Sequence, residues 1–219
     1  MERELYEQFL TILKEELIPA GGCTEPIAIA YAAAVARKTL GCQPEHMDVY
    51  ASGNLIKNAK AVYIPNGGTL RGVDAAAVLG ALGGDADRAL EVLLDLPDGV
   101  LEQTQALLQQ GYCAVHVLRG MEALHLIVNV QADGQSAEVE LKNAHTHIVR
   151  VEKNGETVFR AGGSDTQDGL TDHSCLTVGR IVEFADTCRL ADIEPTLQKQ
   201  IDCNTRIAEE GLNNRWGVN

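Results

Sequence analysis

Apolar positions recur at helical spacing near the start of the chain. Five of them predict a first helix over about residues 2–18, namely Leu5, Phe9, Ile12, Leu13 and Leu17. A Pro-Ala-Gly-Gly stretch at 19–22 ends this helix, and Pro26 suits the first turn of a second helix over about 24–40. Because the second helix is apolar nearly all round, we expect it to be buried.

Short elements of both kinds follow up to residue 110. The stretch 47–51 predicts a short strand, and 73–82 predicts a helix that the following glycines end. Two more helices are predicted over about 86–95 and 99–110, separated by a Pro-Asp-Gly turn.

The pattern then changes to β-branched and alternating runs. Asp133-Gly134 and Asn154-Gly155 lie between such runs, and both dipeptides are strong hairpin signals. We therefore predict an antiparallel meander over about 111–161, with strands at 112–118, 123–131, 137–142 and 146–153.

The predicted fold class is α+β, a helical layer with short strands plus an inserted antiparallel β-meander. We divide the chain into a mainly helical part (1–110), the meander (111–161) and a helical segment (162–219). The last segment is expected to pack back on the first part and to lead into a C-terminal half that this chain lacks. Trp216, close to the chain end, also indicates a neighbour outside the chain.

Composition narrows the classes of partner. Of the 219 residues, 45% are apolar, and 31 Asp and Glu against 18 Lys and Arg give a net charge of -13. Such a charge repels phosphate backbones and anionic lipids, so we expect neither nucleic acid nor membrane as a partner. The longest apolar run, 27–36, is shorter than the roughly 20 residues of a spanning helix, and no leader pattern is evident. A cytoplasmic protein is predicted.

The most specific local signal is the sequence Gly21-Gly22-Cys23-Thr24-Glu25. Two glycines allow the backbone to approach a ligand closely. Cys23 falls at a predicted helix N-terminus, where free N–H groups and the helix dipole stabilise a thiolate. A thiolate serves as a nucleophile, a base or a metal ligand. Alternatively, Cys23 is a small residue that packs a tight turn.

Two further motifs could bind ligands. In the stretch 52–58, Ser52 or Asn54 could cap a short helix whose N-terminus binds an anion such as a substrate carboxylate, with Lys57 or Asn58 one turn on. An ordinary cap beside a solvated lysine is the alternative.

The second of these motifs is His145-Thr146-His147. Alternation along a strand would put both imidazoles on one face, where they could share a metal ion or form a polar surface. Asp172, His173 and Cys175 are candidates for a third ligand, without support from spacing.

Together these residues resemble a known family. The stretch Pro19–Ala28, with its Cys-Thr-Glu-Pro motif, resembles the N-terminal signature of the L-cysteine desulfidase family, which is related to the α-chain of iron–sulfur L-serine dehydratases. The similarity continues through 52–58, Ile64-Pro65 with Gly72, 75–85 and 145–147, and so spans most of the chain.

The resemblance implies a [4Fe–4S] lyase that removes sulfide and ammonia from L-cysteine to give pyruvate, or the equivalent reaction of L-serine. It implies that Cys23 is a cluster ligand or an acid/base thiol, and that Lys57 is catalytic. Candidates for substrate binding are then Ser52, Asn54, Asn58, His145 and His147.

Length sets this chain apart from the family, whose members are about twice as long and carry further cluster cysteines in a C-terminal half. The six cysteines here are scattered, and one cysteine cannot hold a cluster that needs three or four. We expect this chain alone to bind no cluster and to be inactive without a C-terminal half or partner chain. A homo-oligomer is expected. The alternative is a non-catalytic module that binds amino acids or other small carboxylates.

Overall fold

The computed structural model describes residues 1–120, 122–161 and 171–214. The chain divides into two compact units, one formed by Met1–Pro19 with Gly169–Asn219 and the other by Ala20–Asp168. Within the described ranges, no helix is both long and apolar enough to cross a membrane. Trp216 lies outside the described residues.

The larger unit is built on one mixed sheet. Its described strands lie in the order β2-β1-β3-β4-β5-β6, with β1 parallel to β2 and the other neighbours antiparallel. The strands are β1 (His46–Ser52), β2 (Cys113–Leu118), β3 (His125–Ala132), β4 (Gln135–Lys142), β5 (Ile148–Lys153) and β6 (Glu156–Arg160).

This sheet confirms the predicted α+β class with an antiparallel meander, but it changes the place of one strand. Residues 113–118, expected to open the meander, instead pair in parallel with β1 at the sheet edge. Helices connect β1 to β2, and such a crossover returns the chain parallel to its first strand.

Helices cover one face of the sheet. In this unit they are α2 (Thr24–Leu40), α3 (Gly53–Ala59), α4 (Val73–Gly83) and α5 (Val100–Gln109). The expected helix over 86–95 is a shorter 3-10 helix, Ala86–Glu91, interrupted at Ala89 by a positive φ of 45°. The core between helices and sheet is rich in alanine and valine.

The contact between α2 and α4 is unusually close. A Cβ atom added to Gly80 would lie 2.2 Å from the carbonyl oxygen of Ala30, a distance that side chains do not tolerate. Because Gly80 lacks a Cβ, the two helix backbones can touch, and α2 is buried as its apolar pattern predicts.

The other sheet face carries a network of charged side chains. Glu140 accepts hydrogen bonds from His125 Nε2 at 2.9 Å and Arg150 Nε at 2.9 Å, and pairs with Lys142 Nζ at 3.1 Å. Arg150 also contacts Glu138 Oε1 at 2.6 Å. Burial alone would raise the pKa of Glu140, but the hydrogen bonds from Arg150, Lys142 and His125 outweigh burial and lower it to about 2.

The smaller unit is helical in its described residues. Its helices are α1 (Arg3–Glu16), α6 (Val178–Thr187) and α7 (Leu190–Asn213). Phe9 and Ile12 pack with Cys175 and Phe184 in a small core. Tyr6 donates a hydrogen bond to Asp192 Oδ2 at 2.7 Å and so joins α1 to α7. Apolar side chains of α6 and α7 remain exposed, among them Val178, Leu190, Ile207 and Leu212.

We predict that Glu140→Gln lowers the free energy of unfolding by about 2 kcal/mol at pH 6, because the variant loses charge-assisted hydrogen bonds. The folded-state pKa of Glu140 lies below its ordinary 4.5, so its stabilising contribution is complete above about pH 4.5 and is lost as pH falls towards 2. Denaturant unfolding between pH 6 and pH 2 measures this difference.

Glu156→Gln is the matched control, since Glu156 is exposed on the edge strand β6. This variant should match the wild type within about 0.5 kcal/mol at every pH. A Glu140→Gln effect that does not shrink on acidification contradicts the assignment to the ionised carboxylate.

Candidate functional site

The Gly-Gly pair brings the start of α2 against a loop. Gly22 has a φ of 151°, and a Cβ there would lie 2.7 Å from the Pro65 side chain. The N–H of Gly21 donates to the carbonyl of Leu90 at 3.4 Å. The sequence predicted close approach of this backbone to a ligand, whereas the contacts here are with protein groups of Pro65 and Leu90. Cys23 follows as the N-cap of α2.

A thiol, a carboxylate and an amide meet at this helix start. Cys23 Sγ lies 3.1 Å from Glu25 Oε2, and Asn58 Nδ2 donates to Glu25 Oε1 at 3.1 Å. We call Cys23, Glu25 and Asn58 the Glu25 cluster. Both oxygens of Glu25 are therefore engaged, one by its own helix and one by α3.

The Glu25 cluster favours the protonated thiol of Cys23 and the ionised carboxylate of Glu25. The hydrogen bond from Cys23 lowers the pKa of Glu25 against the opposing effect of partial burial, and Asn58 and the charge of His145 lower it further. Partial burial is the main cause that raises the pKa of Cys23, and the hydrogen bond to Glu25 adds to it. Burial and the Glu25 carboxylate together raise the pKa of Cys23 and so oppose the thiolate expected at a helix N-terminus.

The predicted anion site at 52–58 is assembled only in part. Ser52 is buried at the end of β1, and its Oγ donates to the carbonyl of Ala123 at 2.9 Å instead of capping α3. Asn54 and Lys57 are exposed. Of the described residues in this stretch, Asn58 is the one that contacts the motif of Cys23, through its hydrogen bond to Glu25.

The His145 and His147 pair lies in the turn between β4 and β5, not in a strand, because β5 begins at Ile148. His147 Nδ1 lies 3.1 Å from the carbonyl of Lys142 and must carry the proton of that hydrogen bond. The Nε2 atoms of both rings are buried without a hydrogen-bond partner among the described residues. Buried polar atoms usually have such a partner, so these two nitrogens are exceptions.

A shallow cavity of about 420 Å³ lies beside this turn. Its lining combines polar groups of Tyr31, Thr146 and His147 with apolar groups of Ile148, Val151 and Phe159. Burial raises the pKa of Tyr31, so its hydroxyl stays protonated and available as a hydrogen-bond donor.

The described residues do not form a metal site by themselves. They contain no group of three His, Cys, Asp or Glu side chains arranged to hold a metal ion. In the larger unit, Cys42 is exposed and Cys113 lies on β2. The candidates Asp172, His173 and Cys175 belong to the smaller unit. Cys23 is therefore the single cysteine of the Glu25 cluster, fewer than a [4Fe–4S] cluster needs.

Glu25 is the central residue that sequence reasoning did not single out. It lies in the first turn of α2, where the helix dipole favours a carboxylate. A glutamate at this position is common in helices and does not by itself indicate a functional site. Its position two residues after Cys23 was the available signal. The contact with Asn58, 33 positions away, depends on the fold.

The fold and the Glu25 cluster define an α+β protein with a thiol–carboxylate–amide site. The chain is similar to UPF0597 proteins, with 45% identity to that of Lachnoclostridium phytofermentans over 98% of this chain and 52% of the relative. The UPF0597 protein of Treponema denticola is 38% identical over 100% of this chain and 51% of the relative. The UPF0597 protein of Desulfitobacterium hafniense is 39% identical over 100% of this chain and 52% of the relative. The chain therefore spans about half the length of the curated relatives it matches. No family model and no solved structure matches the chain.

We predict that Glu25→Gln makes Cys23 react faster with iodoacetamide at pH 8. Removing the carboxylate removes a negative charge and a hydrogen bond that raise the pKa of the thiol, so the reactive thiolate fraction increases. Mass spectrometry of the alkylated peptides gives the rate at each cysteine.

Cys42 is an internal reference, since it is exposed and takes no part in the Glu25 cluster. Its alkylation rate should be the same in wild type and variant. An unchanged or slower rate at Cys23 in Glu25→Gln would show that the carboxylate does not control this thiol.

Proposed function

We propose that this chain is the N-terminal part of a cytoplasmic lyase that acts on a small amino acid by β-elimination. L-Cysteine, or L-serine in the equivalent reaction, is the proposed substrate. The observation that carries the proposal is the Glu25 cluster. The cluster joins segments 23–26 and 52–58, two of the motifs that resemble the cysteine desulfidase family. A third such motif is 145–147, and the charge of its His145 lowers the pKa of Glu25.

The reaction requires a group that takes the α-proton of the substrate as sulfide leaves the β-carbon. The resulting aminoacrylate tautomerises to an imine, which water hydrolyses to pyruvate and ammonia. Cys23 and Glu25, in contact with each other, and His145, whose charge acts on Glu25, are the titratable groups available for this proton transfer.

Binding of the substrate would use the remaining polar groups. Lys57 is exposed on α3 one residue before Asn58, so its ammonium group is free to pair with a substrate carboxylate. Asn58 holds Glu25 in place from the same helix. Asn54 is exposed on the same helix and would be a further substrate contact. Ser52 is buried and its hydroxyl already donates to the carbonyl of Ala123, which leaves it less suited to this role.

A [4Fe–4S] cluster belongs to this proposal for the complete enzyme, where it would supply a Lewis-acidic iron. The described residues contain no group of three His, Cys, Asp or Glu side chains arranged for a metal, so they do not fit a whole cluster, and Cys23 would be one ligand. The other ligands are assigned to polypeptide beyond this chain, in line with relatives of which it spans about half.

The first test is pyruvate production from L-cysteine and L-serine by the complete gene product, purified without oxygen. We expect pyruvate from one of them, and at least a 100-fold lower rate in Cys23→Ala. Cys42→Ala is the matched control, an exposed cysteine of the same unit, and should keep wild-type activity.

Retained activity in Cys23→Ala contradicts the role of the Glu25 cluster. If neither substrate gives pyruvate but amino acids raise the melting temperature, the chain belongs to the class of binding modules instead.

We further predict that Asn58→Ala lowers kcat/KM by about 10- to 100-fold, because Glu25 loses the hydrogen bond that fixes its second oxygen. Lys60→Ala, at the exposed C-cap of the same helix, should change kcat/KM less than about twofold. Equal losses in both variants would indicate general damage to α3 and not a positioned carboxylate.

A further inference from the structure

Strand β2 is an edge of the sheet. It has β1 as its neighbour on one side, and on the other side none of the described strands pairs with it. An edge strand offers a row of unpaired N–H and C=O groups, and proteins commonly protect such edges with charges, prolines or bulges.

β2 lacks each of these protections, whereas the opposite edge has two of them. The sequence of β2, Cys-Ala-Val-His-Val-Leu, contains no Asp, Glu, Lys, Arg or Pro, and its pairing with β1 runs without a register shift. The opposite edge, β6, has Glu156 and Arg160 at its ends and a register shift against β5. The two edges are therefore not equivalent.

The free groups of β2 can be assigned from one hydrogen bond. The N–H of Met47 donates to the carbonyl of Tyr112 at 3.0 Å, so Tyr112 faces β1. Because backbone groups alternate in direction along a strand, Ala114 and His116 also face β1. Cys113, Val115 and Val117 then direct their N–H and C=O groups away from the sheet.

We propose that β2 pairs with β2 of a second copy of this chain, antiparallel about a two-fold axis at Val115. Val115 then lies opposite Val115 of the second copy, and Cys113 lies opposite Val117 in both halves of the pair. The three outward-facing residues of each copy can exchange about six hydrogen bonds. The two sheets become one continuous sheet across the interface.

A second copy fits this edge because the strand is complementary to itself. A two-fold pairing brings no two like charges opposite each other, since β2 has no acidic or basic side chain besides His116. His116 lies opposite Ala114 of the second copy and keeps its hydrogen bond to Asp48 at 2.8 Å. The chain's net charge of -13 is carried elsewhere.

Burial at the pair explains the exposed valines. Val117 is 66% exposed and Val115 39% exposed in the single chain. In the pair, each Val117 packs against Cys113 of the other copy. Burial raises the pKa of Cys113 to about 12, so a neutral thiol and no charge enters the interface. This inference does not rest on the proposed function.

Sedimentation velocity at tens of micromolar tests the interface. We expect the wild type to sediment as a dimer of the 23.5 kDa chain. Val117→Lys should sediment as a monomer, because an ammonium group would be buried against the second copy. The matched control is Val158→Lys on β6, where the valine is 59% exposed, and it should remain a dimer.

A monomeric wild type, or a dimer that survives Val117→Lys, overturns the proposal. Should Val117→Lys fail to fold, Val117→Cys decides, since residues opposite each other in such a pair have Cα atoms about 5.5 Å apart, within reach of a short bifunctional maleimide. That reagent should then link Cys113 of one copy to position 117 of the other. Absence of a linked dimer, or an equal yield from Val158→Cys, also overturns the proposal.

Discussion

The contact of α2 with α4 is the constraint on which the larger unit depends. At Gly80 the two helix backbones come so close that a single added carbon would overlap Ala30. Such contact is possible only where both helices present small residues, and α2 is accordingly a run of alanines between a few isoleucines. Helix α2 can therefore pack closely against α4 and against the sheet, with ten of its 17 residues buried.

The burial of α2 fixes what lies at its first turn. A helix that packs on neighbours along its whole length cannot rotate or slide without opening the core, so its N-cap and first turn are held at one position. Cys23 and Glu25 occupy that position, and Gly22 lets the preceding loop approach Pro65. The site is thereby built on a rigid element, and Asn58 from α3 needs only one hydrogen bond to join it.

How far the sequence predicted this arrangement depends on the range of each interaction. The helix at 24–40 and the hairpin turns at Asp-Gly and Asn-Gly follow from local pattern, and the structure has them. The parallel pairing of β2 is not visible locally, because a strand pattern carries no information on its neighbour's direction. His145 and His147 were expected in a strand but lie in the turn before β5, which begins at Ile148. Alternation of residue types does not show at which residue a strand begins. The contact between Glu25 and Asn58 is a property of the tertiary fold.

Within the proposed lyase, Glu25 takes part in both roles proposed for Cys23. In one role, the thiol exchanges a proton, and the 3.1 Å contact with Glu25 Oε2 offers the path by which that proton moves. In the other, the sulfur becomes a ligand and loses its proton, so that Glu25 Oε2 loses its donor. Oε1 still accepts from Asn58, which keeps the carboxylate in place, while Oε2 becomes free for a new cation such as a substrate ammonium group. Both proposed roles would use the carboxylate and its amide partner, and they differ in whether Glu25 would contact the substrate directly.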